Sequence, residues 1–203
     1  MAVMVTDPII EKQLRDAWTE EDTRREEVWE GVLVMPPMAN TEHQIFVMKV
    51  AAAFSSLVDR DAGDFVLPGG NVSDRDKGWL YNYRIPDVIV CLAGGVARNC
   101  DTHLVGGPDL LVEIASPGED PHAKLVFYSQ IGTRELLVLD RDPWALELFE
   151  LRGGKLVSAG RSDLATPAIL ASGVLPVTFQ LQPGKTRPVI DVVQSQTGQR
   201  WTA

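Results

Sequence analysis

The sequence predicts an α/β domain with a mixed central sheet flanked by helices and with additional β-hairpins. Three stretches predict it. Residues 107–140, GPDLLVEIASPGEDPHAKLVFYSQIGTRELLVLD, read as strand, turn, helix, strand. Pro86-Asp87 opens a continuously apolar strand, VIVCL, of the kind covered on both faces. Residues 145–151, the Arg152-Gly153-Gly154-Lys155 turn and the strand after it read as a hairpin.

The remaining elements follow in order. Residues 8–22 read as a short amphipathic helix, with Asp7 as N-cap, Pro8 at the first helical position and Ile9, Leu14 and Trp18 near one face. EVWEGVLVM, residues 27–35, is a strand pair or a bent strand around Glu30-Gly31. Asn40 caps a helix over 41–60, whose apolar face is read from Ile45, Met48, Ala52, Leu57 and Val58. Glu42 and His43 fall in its first turn. Residues 64–83 are ambiguous, with strand-like pieces at 65–67 and 79–83 in a solvated hairpin, and 93–107 read as a loop. A last strand covers 174–181, and little pattern follows Gln182. The expected organisation is a helical extension over 1–26, one α/β domain over 27–181 and a tail over 182–203.

Composition bounds the function. The chain has 203 residues, 45% hydrophobic and 23% charged, as ordinary globular domains do. No apolar run approaches the roughly 18 residues of a membrane span, and the N-terminus lacks a basic, then apolar, leader. We therefore expect a cytoplasmic protein with no membrane partner. A net charge of −9 argues against broad, nonspecific nucleic-acid binding. A carboxylate-rich site can still receive a phosphate through bound cations. Cys91 reads as a small buried hydrophobe. Neither Cys91 nor Cys100 is read as part of a CxxC or His/Cys spacing, so no zinc site is expected. Trp144 and Trp201, read as exposed aromatics, are compatible with a homodimer.

Two charges sit where burial is expected. On the 121–131 helix, framed by Asp120, Pro121 and Gly132, Lys124 at 0° places Tyr128 at about 40°, Ile131 at about 340° and Phe127 at about 300°. Lys124 is thus central on the sheet-facing side, unless it snorkels out along its stem. On the preceding strand Glu113 shares a face with Leu111; it is either a site carboxylate or a structural partner of Lys124. Asp109 lies about 13 Å along the strand from Glu113, too far to share one cation. Asp87 opens a different strand, and an adjacent strand is about 4.8 Å away. Asp87 and Glu113 therefore form a hard oxygen pair suited to Mg²⁺ or Mn²⁺. Lys124 would orient a water or stabilise developing charge. The reaction class is metal-assisted phosphodiester hydrolysis.

These pieces resemble the PD-(D/E)XK nuclease superfamily and, within it, the bacterial putative restriction endonuclease family. That family's core reads PDLVVEI-SPS, a Lys-bearing helix with Tyr and Gly, then EYWLVD. Here PDLLVEIASPGED, AKLVFYSQIG and TRELLVLD stand in the same order, and EGVLVMPP with a helix bearing His43 fits the family's front end. The resemblance covers roughly residues 27–151. It implies a restriction-endonuclease-like fold and a metal-dependent endonuclease acting on DNA. It also implies Asp87, Glu113 and Lys124 as the catalytic set, with His43, Glu42 or Glu27 as further site residues. One departure stands out: the superfamily's E-x-K lysine would fall at residue 115, which is alanine, and Lys124 on the helix matches the narrower family's lysine. The alternative is a nuclease-fold protein that binds nucleic acid or a protein without cutting.

Overall fold

The apolar strands form the middle of a six-stranded sheet. Its order is Lys155–Asp163, Trp144–Arg152, Glu135–Arg141, Leu110–Ile114, Val88–Cys91, Phe65–Leu67. The computed structural model from which this follows describes residues 3–16, 26–36, 39–115 and 120–203. Leu110–Ile114 runs parallel to Glu135–Arg141 and antiparallel to Val88–Cys91, so the sheet is mixed. A parallel pair requires a crossover. Here it contains a 3-10 turn, Pro121–Lys124, leading into the helix Leu125–Ile131. Asp120 caps this unit by accepting from the His122 N–H, and Gly132 ends it in the left-handed region.

Both faces of the sheet are covered, which explains the unbroken apolar strands. Val88, Val90, Leu110, Val112, Leu137 and Leu139 pack with the Thr41–Ser55 helix and a C-terminal sheet. Ile89, Leu111, Leu136 and Val138 pack with Phe127 and Tyr128 of the crossover helix. Glu113 belongs by alternation to this second face. The Glu27–Trp29 and Val32–Met35 strands form a hairpin, resolving the bent-strand alternative, with Glu30 and Gly31 both at positive φ in the turn. That hairpin joins a seven-stranded sheet that includes Val72–Ser73, Tyr83–Arg84, Arg98–Asn99 and Leu104–Val105.

Several expectations change. The piece at 79–83 is a 3-10 turn, Trp79–Tyr81, before the short strand Tyr83–Arg84. The loop at 93–107 contains two short strands. Strand Val3–Val5 precedes the Pro8–Asp16 helix and pairs with Val32–Met35; Trp18 lies outside the described residues. Residues after Gln182 form strands Val189–Gln194 and Arg200–Thr202, with Ile190 and Val192 in the core. Trp144 is half-buried beside Phe46 and Trp201 packs on the same core, so neither is an exposed aromatic.

The Thr41–Ser55 helix buries a different face from the one its spacing suggested. Phe46, Val47, Val50, Ala53 and Phe54 are buried, whereas Met48 is 63% exposed and Ile45 also faces out. Apolar residues surround this helix, so periodicity alone does not choose a side. Contact with the sheet chooses it. Phe46→Ala should therefore cost about 3–5 kcal/mol and Met48→Ala less than about 0.5 kcal/mol, read from urea unfolding midpoints. Equal losses would contradict this orientation.

Candidate active site

The antiparallel register pairs Val112 with Val88. One residue further, Asp87 comes level with Glu113. The Asp87 N–H donates to the Val112 carbonyl, and Asp87 Oδ2 accepts from the Ile114 N–H at 2.8 Å. The carboxylate is thereby fixed to the end of the Glu113 strand. Both side chains are buried, at 6% and 5% exposure.

Lys124 comes from the 3-10 turn and is equally buried. Its Nζ lies 3.2 and 3.0 Å from the two Glu113 oxygens and 2.8 Å from Glu27 Oε1. Snorkelling is excluded, because the ammonium is held between two carboxylates. Glu27 is oriented in turn by the Ile85 N–H on Oε1 and the Trp29 indole N–H on Oε2, both at 2.8 Å. The Tyr128 hydroxyl donates to Glu113 Oε1 at 2.5 Å.

Of the further candidates, the structure brings in two. Glu27 joins through Lys124. His43 Nε2 lies 3.1 Å from Asp87 Oδ2. An ionised carboxylate only accepts, so Nε2 is the donor there. His43 Nδ1 is buried and has no hydrogen-bond partner among the described residues. Glu42 is directed elsewhere: it pairs with Arg141 and Arg187, each at 3.1 Å. Arg141 also donates to the Ala115 carbonyl and to Asn40, so Glu42 helps tie the helix start to the strand end. Asp109 is engaged by the Leu92 N–H and Arg134, apart from the cluster.

Two further participants take their roles only in three dimensions. Arg84 lies between the Trp29 and Phe127 rings, 4.4 and 4.2 Å from their centroids, and donates to the Val28 carbonyl. Burial lowers its pKa, opposed chiefly by the Glu27 carboxylate. Tyr128 was legible as a face residue next to Lys124, but its bond to Glu113 needed the fold. Burial, then the Glu113 charge, raises its hydroxyl well above the ordinary range.

The carboxylate cluster is the chemical signature. Three carboxylates, Glu27, Asp87 and Glu113, share a buried space with the Lys124 ammonium. Burial pushes Glu113 up to about 8; Lys124 opposes this, and the Asp87 and Glu27 charges add to it. Carboxylate oxygens are hard donors of the kind that suit a divalent cation such as Mg²⁺ or Mn²⁺, whose binding would displace the Glu113 proton. Asp87 and Glu113 are the residues that would hold it.

A profile of the Uma2 family, described as "Putative restriction endonuclease", matches residues 12–183. The chain belongs to this family. A search of the curated proteins gives no match. The fold is similar to a crystal structure described as "a putative nuclease belonging to DUF820 from Anabaena variabilis ATCC 29413". The TM-score is 0.57 at 16% identity, covering 87% of this chain and 89% of that one. At that identity the likeness concerns the fold, which is restriction-endonuclease-like. This Uma2 chain is therefore nuclease-like in family and architecture. Among the described residues no helix is long and apolar enough to cross a membrane.

Glu113 also makes stability depend on pH. With its folded pKa raised from 4.5 to about 8, the folded state binds more protons than the unfolded state across that interval. This stabilisation is complete below the lower value and lost as pH rises through the upper one. Without divalent metal, the melting temperature should fall across this interval, and Glu113→Gln should flatten the slope. An unchanged slope in the variant would assign the dependence to other groups.

Proposed function

We propose that this Uma2 protein is a metal-dependent endonuclease that hydrolyses phosphodiester bonds in DNA. The observation that carries the reading is the buried Lys124 held between Glu27 and Glu113, with the buried Asp87 carboxylate level with Glu113 on the neighbouring strand, within a nuclease-like fold. Mg²⁺ or Mn²⁺ held by Asp87 and Glu113 would polarise a phosphoryl oxygen and lower the pKa of a bound water. Asp87 is positioned for this by its strand-end hydrogen bond and by His43. Tyr128 holds one Glu113 oxygen. Lys124 orients the attacking water and stabilises the charge that develops on the phosphate. Glu27 keeps the ammonium in place from the opposite side. The net charge of −9 makes attraction to DNA a local property of the cation-loaded site rather than of the whole surface.

A second reading is a nuclease-fold protein that binds without cutting. It is favoured by the internal satisfaction of the cluster, since Lys124 bridges Glu27 and Glu113, and by alanine at position 115. Calorimetry with Mn²⁺ separates the two: a protein that takes up no metal even with DNA present supports the second.

Purified protein with Mg²⁺ or Mn²⁺ should nick supercoiled plasmid and cut linear duplex, and Glu113→Ala or Asp87→Ala should reduce the rate about 100-fold or more. Equal nicking by wild type and Glu113→Ala would remove the assignment. Lys124→Met should destabilise the fold by about 3–5 kcal/mol, because it leaves buried carboxylates uncompensated. Adding Glu113→Gln to that variant should recover part of the loss in denaturant titration.

A further inference from the structure

A second cluster of metal-ligating side chains lies on the seven-stranded sheet, away from the three carboxylates. Asp76 follows the strand Val72–Ser73, and Cys100 and His103 stand between Arg98–Asn99 and Leu104–Val105. The turn is tight. The Cys100 N–H donates to the His103 carbonyl at 2.9 Å, and Asp101 sits at φ 73°. It brings the two side chains to one side. One ligand atom from each of Asp76, Cys100 and His103 lies within 4.8 Å of the others.

His103 makes this more than an incidental cluster. It is only 6% exposed, and its ring stacks on Trp79 with centroids 4.7 Å apart and planes 12° off parallel. Its Nδ1 lies 3.1 Å from Thr102 Oγ1. Its Nε2 is buried and has no hydrogen-bond partner among the described residues. That atom faces Asp76 Oδ1 at 3.8 Å, too far for a hydrogen bond. With Nδ1–H donated to Thr102, Nε2 presents a lone pair, the form in which imidazole ligates metals. A lone pair turned toward a carboxylate lacks a positive partner. Arg98 occupies the other Asp76 oxygen at 2.9 Å, which leaves Oδ1 for the cluster.

We propose that Asp76, Cys100 and His103 bind a transition-metal ion of the Zn²⁺ class. One imidazole nitrogen, one thiolate and one carboxylate suit a borderline-soft cation better than Mg²⁺. Asp76 is exposed and Cys100 partly so, which leaves the fourth position to water on the solvent side. The thiol loses its proton to solvent as the metal binds. Bound there, the ion clamps the loop carrying Asp76 to the 100–103 turn. Cys100-Asp-Thr-His103 is a Cys-x₂-His spacing, contrary to the reading that neither cysteine stands in a His/Cys spacing.

Co²⁺ tests this in the full-length, reduced protein, because a thiolate ligand gives a near-ultraviolet charge-transfer band that carboxylates do not. The wild type should develop the band to a saturating intensity, and Zn²⁺ should bleach it. Cys100→Ser should abolish it, and Asp76→Ala should weaken Co²⁺ binding about tenfold or more. Glu113→Gln should leave it intact. Both Asp76 and Cys100 lie at the surface, so their variants keep the fold. Absence of the band in the wild type, or its survival in Cys100→Ser, overturns the site.

Discussion

Burying Lys124 between Glu27 and Glu113 constrains the whole structure. An isolated ammonium or carboxylate in this core would cost several kcal/mol. It is tolerated because three separate elements deliver their charges to one point. Glu27 comes from the N-terminal hairpin, Glu113 from the central sheet and Lys124 from the crossover. The parallel pairing of Leu110–Ile114 with Glu135–Arg141 forces that crossover. Once it packs on the sheet through Phe127 and Tyr128, Lys124 is committed to the Glu113 face. The hairpin is then held against the same face, with Arg84 stacked between Trp29 and Phe127.

The same packing sets the electrostatics. Burial itself pushes the Glu113 carboxyl up against the ammonium beside it, and the Asp87 and Glu27 charges add to that. Clustered carboxylate oxygens are the property that suits a divalent cation. Second-layer groups fix the arrangement: the Ile114 N–H on Asp87, the Ile85 N–H and Trp29 on Glu27, and Tyr128 on Glu113. Rigid support of this kind is what charge stabilisation in a reaction requires.

The Thr41–Ser55 helix illustrates how one element serves both core and site. Phe46, Val50 and Phe54 anchor it to the central sheet. That anchoring turns His43 inward to Asp87 and leaves Glu42 on the rim, where Arg141 and Arg187 take it. Two neighbouring residues of the first turn thus have different fates for a geometric reason: successive helical positions point about 100° apart.

Much of the candidate site was legible in the sequence. A glutamate inside an apolar strand and a lysine at the centre of an apolar helical face violate burial rules locally, and such violations mark sites. The spacing also set the mixed sheet's core, its crossover and the Gly-rich hairpin turns. Tertiary structure decided what depends on partners distant in the chain. The helix at 41–55 carries apolar residues on every side, so only contact with the sheet selected Phe46 over Met48. Strands Val189–Gln194 and Arg200–Thr202 are held by pairing with Val177–Gln182 and with each other; the β-branched run at 189–193 and the Thr197-Gly198 turn are a local hairpin signal, but the pairing partner is a tertiary matter. Glu27 became a partner of Lys124, and His43 of Asp87, only when the folded chain brought together residues 97 and 44 positions apart. Local periodicity encodes which residues are buried; it does not encode which buried charges will meet.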